Sequence, residues 1–262
     1  MRTALTIAGS DSGGGAGIQA DLKTFAAHGV YGTSAITAVT AQNTLGVTTW
    51  QALPADLVIA QIEAIAGDIG ADAVKTGMLA NAAIVEAVAA TIESLDLPLV
   101  VVDPVMVAKG GDRLLEEDAI HAIRAELLPR AHVVTPNLPE AEVLAGMPIR
   151  SLEEMRLAGR RILELGPRVV IVKGGHLEGP EAIDVVCSGT EEYELRGRRL
   201  ASRHTHGTGC TLASAIAANL ALGKPDRQAI EDARAYLEGA IEHAPGIGRG
   251  HGPLNHFWRT VY

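Results

Sequence analysis

The sequence predicts an α/β protein whose central, mostly parallel β-sheet is covered by helices on both faces. Short apolar segments occur at residues 3–8, 36–40, 73–75, 99–102, 132–135 and 169–173. Most of them lack polar alternation, which is typical of parallel strands buried on both faces. Helical segments lie between them, and several strands are followed directly by glycine clusters. This alternating order of strands and helices favours a parallel sheet.

The segments between the strands have the periodicity of helices. Two sets of apolar residues recur at helical spacing, Val58, Ile62, Ile65 and Ile69, and Ile84, Val88, Ile92 and Leu95. Each set predicts one buried helical face. Asn81 and Asp226 are expected N-caps, residues 151–154 have the pattern of a capping box, and Gly166 with Pro167 is expected to end the helix that follows.

After residue 173 the pattern changes to shorter β-like pieces. Residues 183–187 and 192–195 are separated by a Ser-Gly-Thr turn and are predicted to pair as antiparallel strands. Helices return from about residue 209. There is no Pro/Gly/Ser linker, low-complexity tract or fixed-period repeat, so residues 1–262 are expected to form one domain.

Composition excludes several classes of protein. The chain has 262 residues, 47% of them hydrophobic, which is too apolar for intrinsic disorder. Its net charge of −9 makes nucleic acid an unexpected partner, and no apolar run is long enough for a membrane span. The N-terminus does not resemble a signal peptide, and Cys187 and Cys210 do not suggest a disulfide framework. We therefore expect a cytoplasmic protein, and the nine histidines show no zinc-ligand spacing.

Glycine-rich turns are the most informative feature of the sequence. They occur at residues 9–17, 109–111, 174–175 and 207–209. None has the pattern of a Walker A loop or of a Rossmann dinucleotide-binding loop. Ligands of open α/β sheets bind at the carboxyl ends of the strands, where these turns would meet. The alternative for any one cluster is an ordinary tight turn.

The glycine turn at residues 207–209 leads directly into a helix-forming stretch. The free N–H groups at the start of that helix, with its positive dipole end, predict an anion site suited to a phosphoryl group. Cys210 lies at the same position, where a thiolate is favoured, so it is a candidate base or nucleophile. The alternative is a small, buried, apolar cysteine.

Four polar residues follow predicted strands. Asn137 and Glu140 are spaced i, i+3 at a helix start and could bind Mg²⁺, although the same spacing also fits a capping box. Asp103 follows a buried strand, as either a functional residue or a turn residue. Lys173 precedes Gly174 and could contact phosphate, or it could be a solvated turn lysine.

Gln42 follows the strand at residues 36–40. Its amide has both donors and an acceptor, so it can pair with an amino group beside a ring nitrogen. The alternative is a surface-loop glutamine.

Seven segments together resemble the hydroxymethylpyrimidine/phosphomethylpyrimidine kinases of thiamine biosynthesis. They are AGSDSGGGAGIQADLKTF (8–25), TAVTAQNT (37–44), VKTGML (74–79), VVDPVMVAKGGDRLL (101–115), TPNLPEAE (135–142), VKGGH (172–176) and HTHGTGCTLASAIAANLA (204–221). The segment GRGHGPLNH (248–256) is also similar to the C-terminal pattern of that family. The segments occur in family order over nearly the whole chain.

The resemblance implies a ribokinase-like fold, a homodimer, and the use of ATP and Mg²⁺. It implies phosphorylation of 4-amino-5-hydroxymethyl-2-methylpyrimidine to the monophosphate and then to the pyrophosphate. Gln42 would hold the aminopyrimidine edge, and the residues implied to line the substrate pocket are Gly9, Asp21, Met78 and Val105. Cys210 would be catalytic, assisted by Lys173 and by the helix start at Gly207, Thr208 and Gly209. Asp103, Asn137, Glu140 and Lys173 would serve the metal and the phosphates.

Cys210 separates this chain from most ribokinase-like sugar kinases, in which an Asp ends the corresponding glycine motif. Arg234 stands where many relatives have Lys, which leaves the contacts near the nucleotide base open. Two alternative functions are a pyridoxal kinase of the same fold and a non-catalytic pyrimidine-binding protein. The Lys109 loop is a candidate lid.

Overall fold

A computed structural model describes residues 1–106, 117–175, 179 and 181–259. The strands in these ranges are β1 (Thr3–Asp11), β2 (Tyr31–Asn43), β3 (Gly46–Ala52), β4 (Ala73–Thr76), β5 (Val100–Val102), β6 (Val133–Val134), β7 (Val169–Val172), β8 (Glu181–Ser188) and β9 (Glu192–Arg198). The helices are α1 (Gly17–Ala27), α2 (Ala55–Ala66), α3 (Ala82–Ser94), α4 (Glu117–Ala122), α5 (Leu138–Ala145), α6 (Leu152–Leu163), α7 (Thr208–Ala221) and α8 (Asp226–Glu242). A π-helical turn (Ile123–Leu127) and a 3-10 turn (Leu128–Arg130) continue α4.

The strands form one sheet in the order β3-β2-β1-β4-β5-β6-β7-β8-β9. Pairing is parallel from β2 to β7 and antiparallel for β3 at one edge and for β8 and β9 at the other. This confirms the predicted mostly parallel sheet and the predicted antiparallel pair after residue 173. The parallel order places the carboxyl ends of six strands along one edge, where ligands bind in such sheets.

Alternate side chains of the strands supply two apolar cores. Leu5, Ile7 and Val102 pack on one face with residues of α2 to α6, whereas Ala4 and Val101 pack on the other with residues of α1, α7 and α8. The period-2 alternation of a strand explains why neighbours such as Val101 and Val102 belong to different cores. Helices therefore cover both faces, as predicted.

Helix boundaries differ from the prediction at three points. Helix α2 ends at Ala66 and α3 at Ser94, so Ile69 and Leu95 lie beyond their helices and are exposed. Asp226 is the first residue of α8 and not its N-cap, which is Pro225. Its carboxylate instead contacts Nε2 of His132, at 2.7 Å.

Other helix-end predictions are confirmed. Asn81 caps α3 by accepting a hydrogen bond from the Ile84 N–H, and Ser151 caps α6 in the same way from Glu154. At the start of α6, the Glu154 carboxylate in turn accepts a hydrogen bond from the backbone N–H of Arg150, the residue before the cap. No helix in the described ranges is long and apolar enough to cross a membrane.

Candidate active site

A cleft of about 550 Å³ lies at the carboxyl ends of β1, β2, β4, β5 and β7 and against the start of α7. It brings together twelve of the thirteen residues that the sequence suggested as site residues. They are Gly9, Gln42, Met78, Asp103, Val105, Asn137, Glu140, Lys173, Gly207, Thr208, Gly209 and Cys210. Residues from seven separate segments of the chain thus form one continuous surface. The glycine turn at residues 109–111 lies outside the described residues.

Asp21 is the exception, because it lies beneath the cleft and not on its wall. Its side chain is fully buried, and it forms an ion pair with the equally buried Lys75, at 2.9 Å. Thr6 and Ser214 also donate hydrogen bonds to its carboxylate. The expectation that Asp21 lines the substrate pocket is therefore wrong for this structure. A buried carboxylate needs such partners, and here it ties α1 to β1, β4 and α7.

The start of α7 has the geometry of an anion site. Gly207 precedes the helix with φ of +85°, and a Cβ there would collide with the carbonyl oxygen of Gly15. Only glycine allows this conformation and this close approach of two loops. No side chain caps the helix. The Thr208 N–H donates to the Thr205 carbonyl at 3.4 Å, so the N–H groups of Gly209 and Cys210 are the candidate donors to a ligand. A Cβ at Gly209 would lie 3.3 Å from both Asp103 Oδ2 and Lys173 Nζ, which places the helix start directly beside these charged groups.

Lys173 and Asp103 form an ion pair at the base of the cleft, with Nζ 3.3 Å from Oδ1. Burial opposes the charge of Lys173, but the carboxylates of Asp103 and Glu140 outweigh it and raise the pKa of the ammonium group. Lys173 is therefore a fixed cation next to the start of α7. Its two remaining N–H donors suit a phosphate oxygen.

Asn137 and Glu140 form the reciprocal capping box of α5. The Glu140 N–H donates to Asn137 Oδ1 at 3.0 Å, and the Asn137 N–H donates to Glu140 Oε2 at 2.8 Å. Burial raises the pKa of the Glu140 carboxyl to about 7, and Asp103 adds to this while Lys173 opposes it. The structure thus confirms the capping box, which uses Asn137 Oδ1 and one carboxylate oxygen of Glu140.

The cleft offers a cation two carboxylates, those of Asp103 and Glu140. No group of three His, Cys, Asp or Glu side chains in the described part of the chain could hold a metal ion. Mg²⁺ keeps several waters and takes only one or two carboxylates besides phosphate oxygens. Asp103 and Glu140 both face the cleft and interact electrostatically through space. Two such carboxylates beside an anion site fit Mg²⁺ bound together with a phosphate.

Cys210 lies in the first turn of α7. Burial raises the pKa of the thiol to about 12, although Lys75 and a hydrogen bond from the Gly17 N–H act in the opposite direction. This balance favours the thiol over the thiolate that the helix start was expected to stabilise. Removal of the sulfur from water outweighs the favourable dipole and the nearby cation.

Several cleft residues were not predicted from the sequence, among them the charged or polar residues Asp11, Asp184 and His206. Nε2 of His206 lies 2.9 Å from Asp11 Oδ2, and Asp184 forms an ion pair with Arg234 at 2.9 Å. His206 and Asp11 lie inside motifs that were singled out, so their polarity was a usable signal. Asp184 lies within β8 and carried no such signal.

The C-terminal segment at residues 250–253, here called the C-terminal strap, crosses behind the cleft. The His251 N–H donates to the Thr44 carbonyl at 2.9 Å, and the His206 N–H donates to the Gly252 carbonyl at 3.2 Å. Thr44 lies in the turn after β2, two residues from Gln42. The strap therefore joins the end of β2 to the loop before α7.

Comparisons with known proteins show the family of the chain. Residues 11–255 match the family model described as phosphomethylpyrimidine kinase. The chain is 49% identical over 255 residues to the hydroxymethylpyrimidine/phosphomethylpyrimidine kinase of Bacillus subtilis, covering 97% of this chain and 94% of the relative. It is 51% identical over 252 residues to the thiamine biosynthesis bifunctional protein ThiED of Geobacter sulfurreducens, covering 96% of this chain but only 51% of that protein.

Two solved structures are similar over almost their full lengths. One is an ADP complex of Bacillus subtilis pyridoxal kinase, with a TM-score of 0.92 and 40% identity, covering 98% of this chain and 97% of that chain. The other is phosphomethylpyrimidine kinase from Clostridium difficile 630, with a TM-score of 0.83 and 43% identity, covering 92% of this chain and 100% of that chain.

Proposed function

Since this chain belongs to the phosphomethylpyrimidine kinase family, we propose that it phosphorylates 4-amino-5-hydroxymethyl-2-methylpyrimidine and then the resulting monophosphate. The supporting observation is the meeting of three features in one cleft. They are the amide of Gln42, the uncapped start of α7, and the Lys173–Asp103 ion pair. The first suits an aminopyrimidine edge, and the other two suit a phosphoryl group in transfer.

The residues of the cleft divide the work of phosphoryl transfer. Gln42 binds the heterocycle, and Gly9, Met78 and Val105 surround it. Lys173 and the first N–H groups of α7 stabilise the negative charge on the transferred group. Phosphoryl transfer needs little covalent chemistry from the protein, so positioning and electrostatic stabilisation supply most of the rate.

ATP is the expected phosphoryl donor, since the chain is a kinase by family and the similar pyridoxal kinase was solved with ADP. Asp103 and Glu140 would hold Mg²⁺ on its phosphates, with Thr208 nearby at the helix start. The ion supplies positive charge that offsets the charge of the phosphates. Because Glu140 has a pKa of about 7, a bound cation would also favour its ionised form.

Cys210 is proposed to contact the reacting hydroxyl group. A protonated thiol forms a hydrogen bond with that hydroxyl and does not remove its proton in advance. Such a role agrees with a loose transition state, in which the hydroxyl proton is lost late. The contribution of Cys210 is therefore mainly one of position.

Pyridoxal is the alternative substrate, because a pyridoxal kinase has a TM-score of 0.92 with this chain. Its ring lacks an amino group beside a ring nitrogen, so it leaves the Gln42 amide incompletely paired. We also propose a cytoplasmic homodimer whose residues 1–262 form one domain, on the basis of the family resemblance.

The proposal is tested by mass spectrometry of the products formed from Mg-ATP and either the aminopyrimidine or pyridoxal. We expect mono- and then diphosphorylated pyrimidine. Lys173→Met should reduce the rate at least 10²-fold through loss of charge stabilisation. Lys224→Met is the matched control, since Lys224 pairs with Asp232 away from the cleft, and should be active.

Three results would contradict the assignment. Phosphorylated pyridoxal without any pyrimidine product would support the alternative kinase. Pyrimidine binding without product would support a non-catalytic binding protein. Full activity of Lys173→Met would remove the role given to that residue.

A further inference from the structure

The amide of Gln42 lies between two polar side chains whose proton positions are fixed by other partners. Its nitrogen is 3.3 Å from Nε2 of His206, and its oxygen is 3.1 Å from the hydroxyl of Thr40. A terminal amide can rotate by 180° and exchange its donor and acceptor ends. The neighbours therefore decide which end points where.

Nε2 of His206 is a donor because it faces an ionised carboxylate. It lies 2.9 Å from Oδ2 of Asp11, and the carboxylate of Asp11 also accepts hydrogen bonds from the N–H groups of Gly13, Gly15 and Ala16. Burial opposes ionisation of Asp11, but His206 and these backbone bonds together lower the pKa of its carboxyl. A carboxylate held in this way only accepts, so Nε2 carries the proton.

The hydroxyl of Thr40 is an acceptor toward Gln42. Thr40 Oγ1 lies 3.0 Å from the carbonyl oxygen of Ser10, and a carbonyl can only accept. The single hydroxyl proton is used there. Toward Gln42, the Thr40 hydroxyl can therefore act only as an acceptor, and it pairs with an amide N–H.

Both neighbours thus require the same orientation of the amide. We propose that Asp11, His206 and Thr40 fix Gln42 with its oxygen toward His206 and its nitrogen toward Thr40, and that this decides which way round the aminopyrimidine lies. The step from amide to substrate rests on the proposed function. In the proposed orientation the amide oxygen is a second, more distant acceptor of the ring N–H that His206 directs to Asp11. In the opposite orientation an amide N–H faces that ring N–H, and two acceptors face each other at Thr40.

The fixed amide has one free lone pair and one free N–H for the substrate. The lone pair accepts from the 4-amino group, and the N–H donates to the adjacent ring nitrogen. The amino group therefore lies on the His206 side of the cleft. On the pyrimidine ring, the 5-hydroxymethyl group is next to the 4-amino group on the side away from that nitrogen. It is consequently carried toward the start of α7, immediately after His206, where Cys210 and Gly209 lie.

His206 is rigidly placed for this purpose. A Cβ at Gly15 would be 2.5 Å from Cδ2 of His206, so the missing side chain leaves room for the ring. In addition, the backbone N–H of His206 donates to the backbone carbonyl of Gly252 in the C-terminal strap. His206 is thus a positioning residue that acts through Gln42.

A crystal structure with the aminopyrimidine and ADP provides the direct test. The 2-methyl and 5-hydroxymethyl groups make the ring asymmetric, so its direction is visible. We expect the amino group on the His206 side and the ring nitrogen on the Thr40 side. The reverse direction in an active enzyme would overturn the inference.

A substrate analogue provides a kinetic test that does not depend on a folded variant. In the 4-oxo analogue, 5-hydroxymethyl-2-methylpyrimidin-4-one, the donor and acceptor of this edge are exchanged. It can satisfy the fixed amide only when turned round, with its hydroxymethyl group away from α7. We expect it to bind competitively but to have a kcat about 10²-fold or more below that of the aminopyrimidine. Equal kcat values would overturn the inference.

Variants then test the role of His206. In His206→Leu only Thr40 still orients the amide, so the kcat ratio of the amino to the oxo substrate should fall about tenfold or more. His206→Gln keeps a donor near the position of Nε2 and should retain most of the ratio. His251→Leu is the matched control, because His251 is exposed on the C-terminal strap outside the cleft.

Two outcomes separate this inference from the proposed function. A ratio in His206→Leu that equals the wild-type ratio overturns the role of His206 alone. If the wild-type protein does not phosphorylate the aminopyrimidine at all, the proposed function fails, and the inference fails with it.

Discussion

At the scale of single residues, the most costly arrangement is the buried ion pair of Asp21 and Lys75 beneath the cleft. Both side chains are fully buried, and the Lys75 ammonium group lies close under Gly77, where a Cβ would be 2.8 Å from it. The negative charge of Asp21 raises the pKa of Lys75 despite the opposing effect of burial. Each charge therefore depends on the other for its place in the core.

We predict that Lys75→Met lowers the free energy of unfolding by about 3–5 kcal/mol, because it leaves the Asp21 carboxylate buried without a counter-charge. The double variant Lys75→Met/Asp21→Asn should recover most of this loss, because a neutral amide needs no counter-charge. Thr6 and Ser214 donate to different oxygens of Asp21, so the single amide oxygen can accept from one hydroxyl while the amide N–H donates to the other. Urea denaturation measures both. As a control, Arg198→Met breaks an exposed pair with Glu242 and should cost less than about 1 kcal/mol. Equal stability of Lys75→Met and the wild type would contradict the prediction.

Which residues enter the site was largely predictable, but their chemical state was not. Strand-end position and glycine clusters located Asp103, Lys173 and Gln42. The protonated thiol of Cys210 could not be foreseen, because burial is a property of the packed molecule. The contact of Asp11 with His206 was equally hidden, since 195 residues separate them.

At the scale of elements, the start of α7 combines backbone donors with the Lys173–Asp103 pair. We predict that Gly209→Ala changes the free energy of unfolding by less than about 1 kcal/mol. Two effects oppose each other, because alanine stabilises a helix relative to glycine while the added Cβ is crowded by neighbouring side chains. That Cβ would lie 3.3 Å from Asp103 Oδ2 and Lys173 Nζ, in the space that we propose for the transferred phosphoryl group. The kcat/KM value should therefore fall by about tenfold or more.

Thermal unfolding and steady-state kinetics check this pair of effects. Gly189→Ala is the matched control, because a Cβ there meets nothing within 4 Å. It should leave kcat/KM unchanged. A Gly209→Ala protein with normal kcat/KM would show that the helix start does not contact the phosphoryl group.

Elements with strong periodicity or buried apolar runs were predicted well, and partly exposed ones were not. Strand β3 was missed because most of its residues are exposed and it pairs only with β2. Asp226 was predicted to cap α8, but Pro225 takes that position and Asp226 pairs with His132. A partner such as His132, which is distant in sequence, cannot be predicted from the residues around Asp226.

At the scale of the whole molecule, His256 fastens the C-terminal region to α7. Its Nε2 lies 3.1 Å from the hydroxyl of Thr211, and its carbonyl accepts from Tyr236 at 2.7 Å. Burial lowers the pKa of the imidazole to about 4, with a smaller contribution from Lys23. Between pH 6.5 and 4 the unfolded chain therefore binds a proton at this site that the folded chain does not bind, so stability falls as pH falls.

We predict that this one group costs about 3 kcal/mol of stability between pH 7 and pH 4, from a pKa change of about 2.5. Residue 256 cannot titrate in His256→Gln. Between pH 7 and pH 4 the free energy of unfolding of this variant should therefore fall by about 3 kcal/mol less than that of the wild type. Urea denaturation at several pH values measures the difference. His121→Gln, at an exposed position, should follow the wild-type curve. Parallel pH dependence of His256→Gln and the wild type would contradict the prediction.

The C-terminal strap also bears on the order in which the molecule assembles. Gly250 donates a hydrogen bond to Thr44, which is 206 residues earlier in the chain. Contacts so distant in sequence close the largest loops, and their entropic cost delays them relative to local pairing. The strands can pair before the strap returns to Thr44, whereas the wall that carries Gln42 and His206 cannot be complete until then. During folding, the capacity to select a substrate is thus acquired after the architecture that supports it.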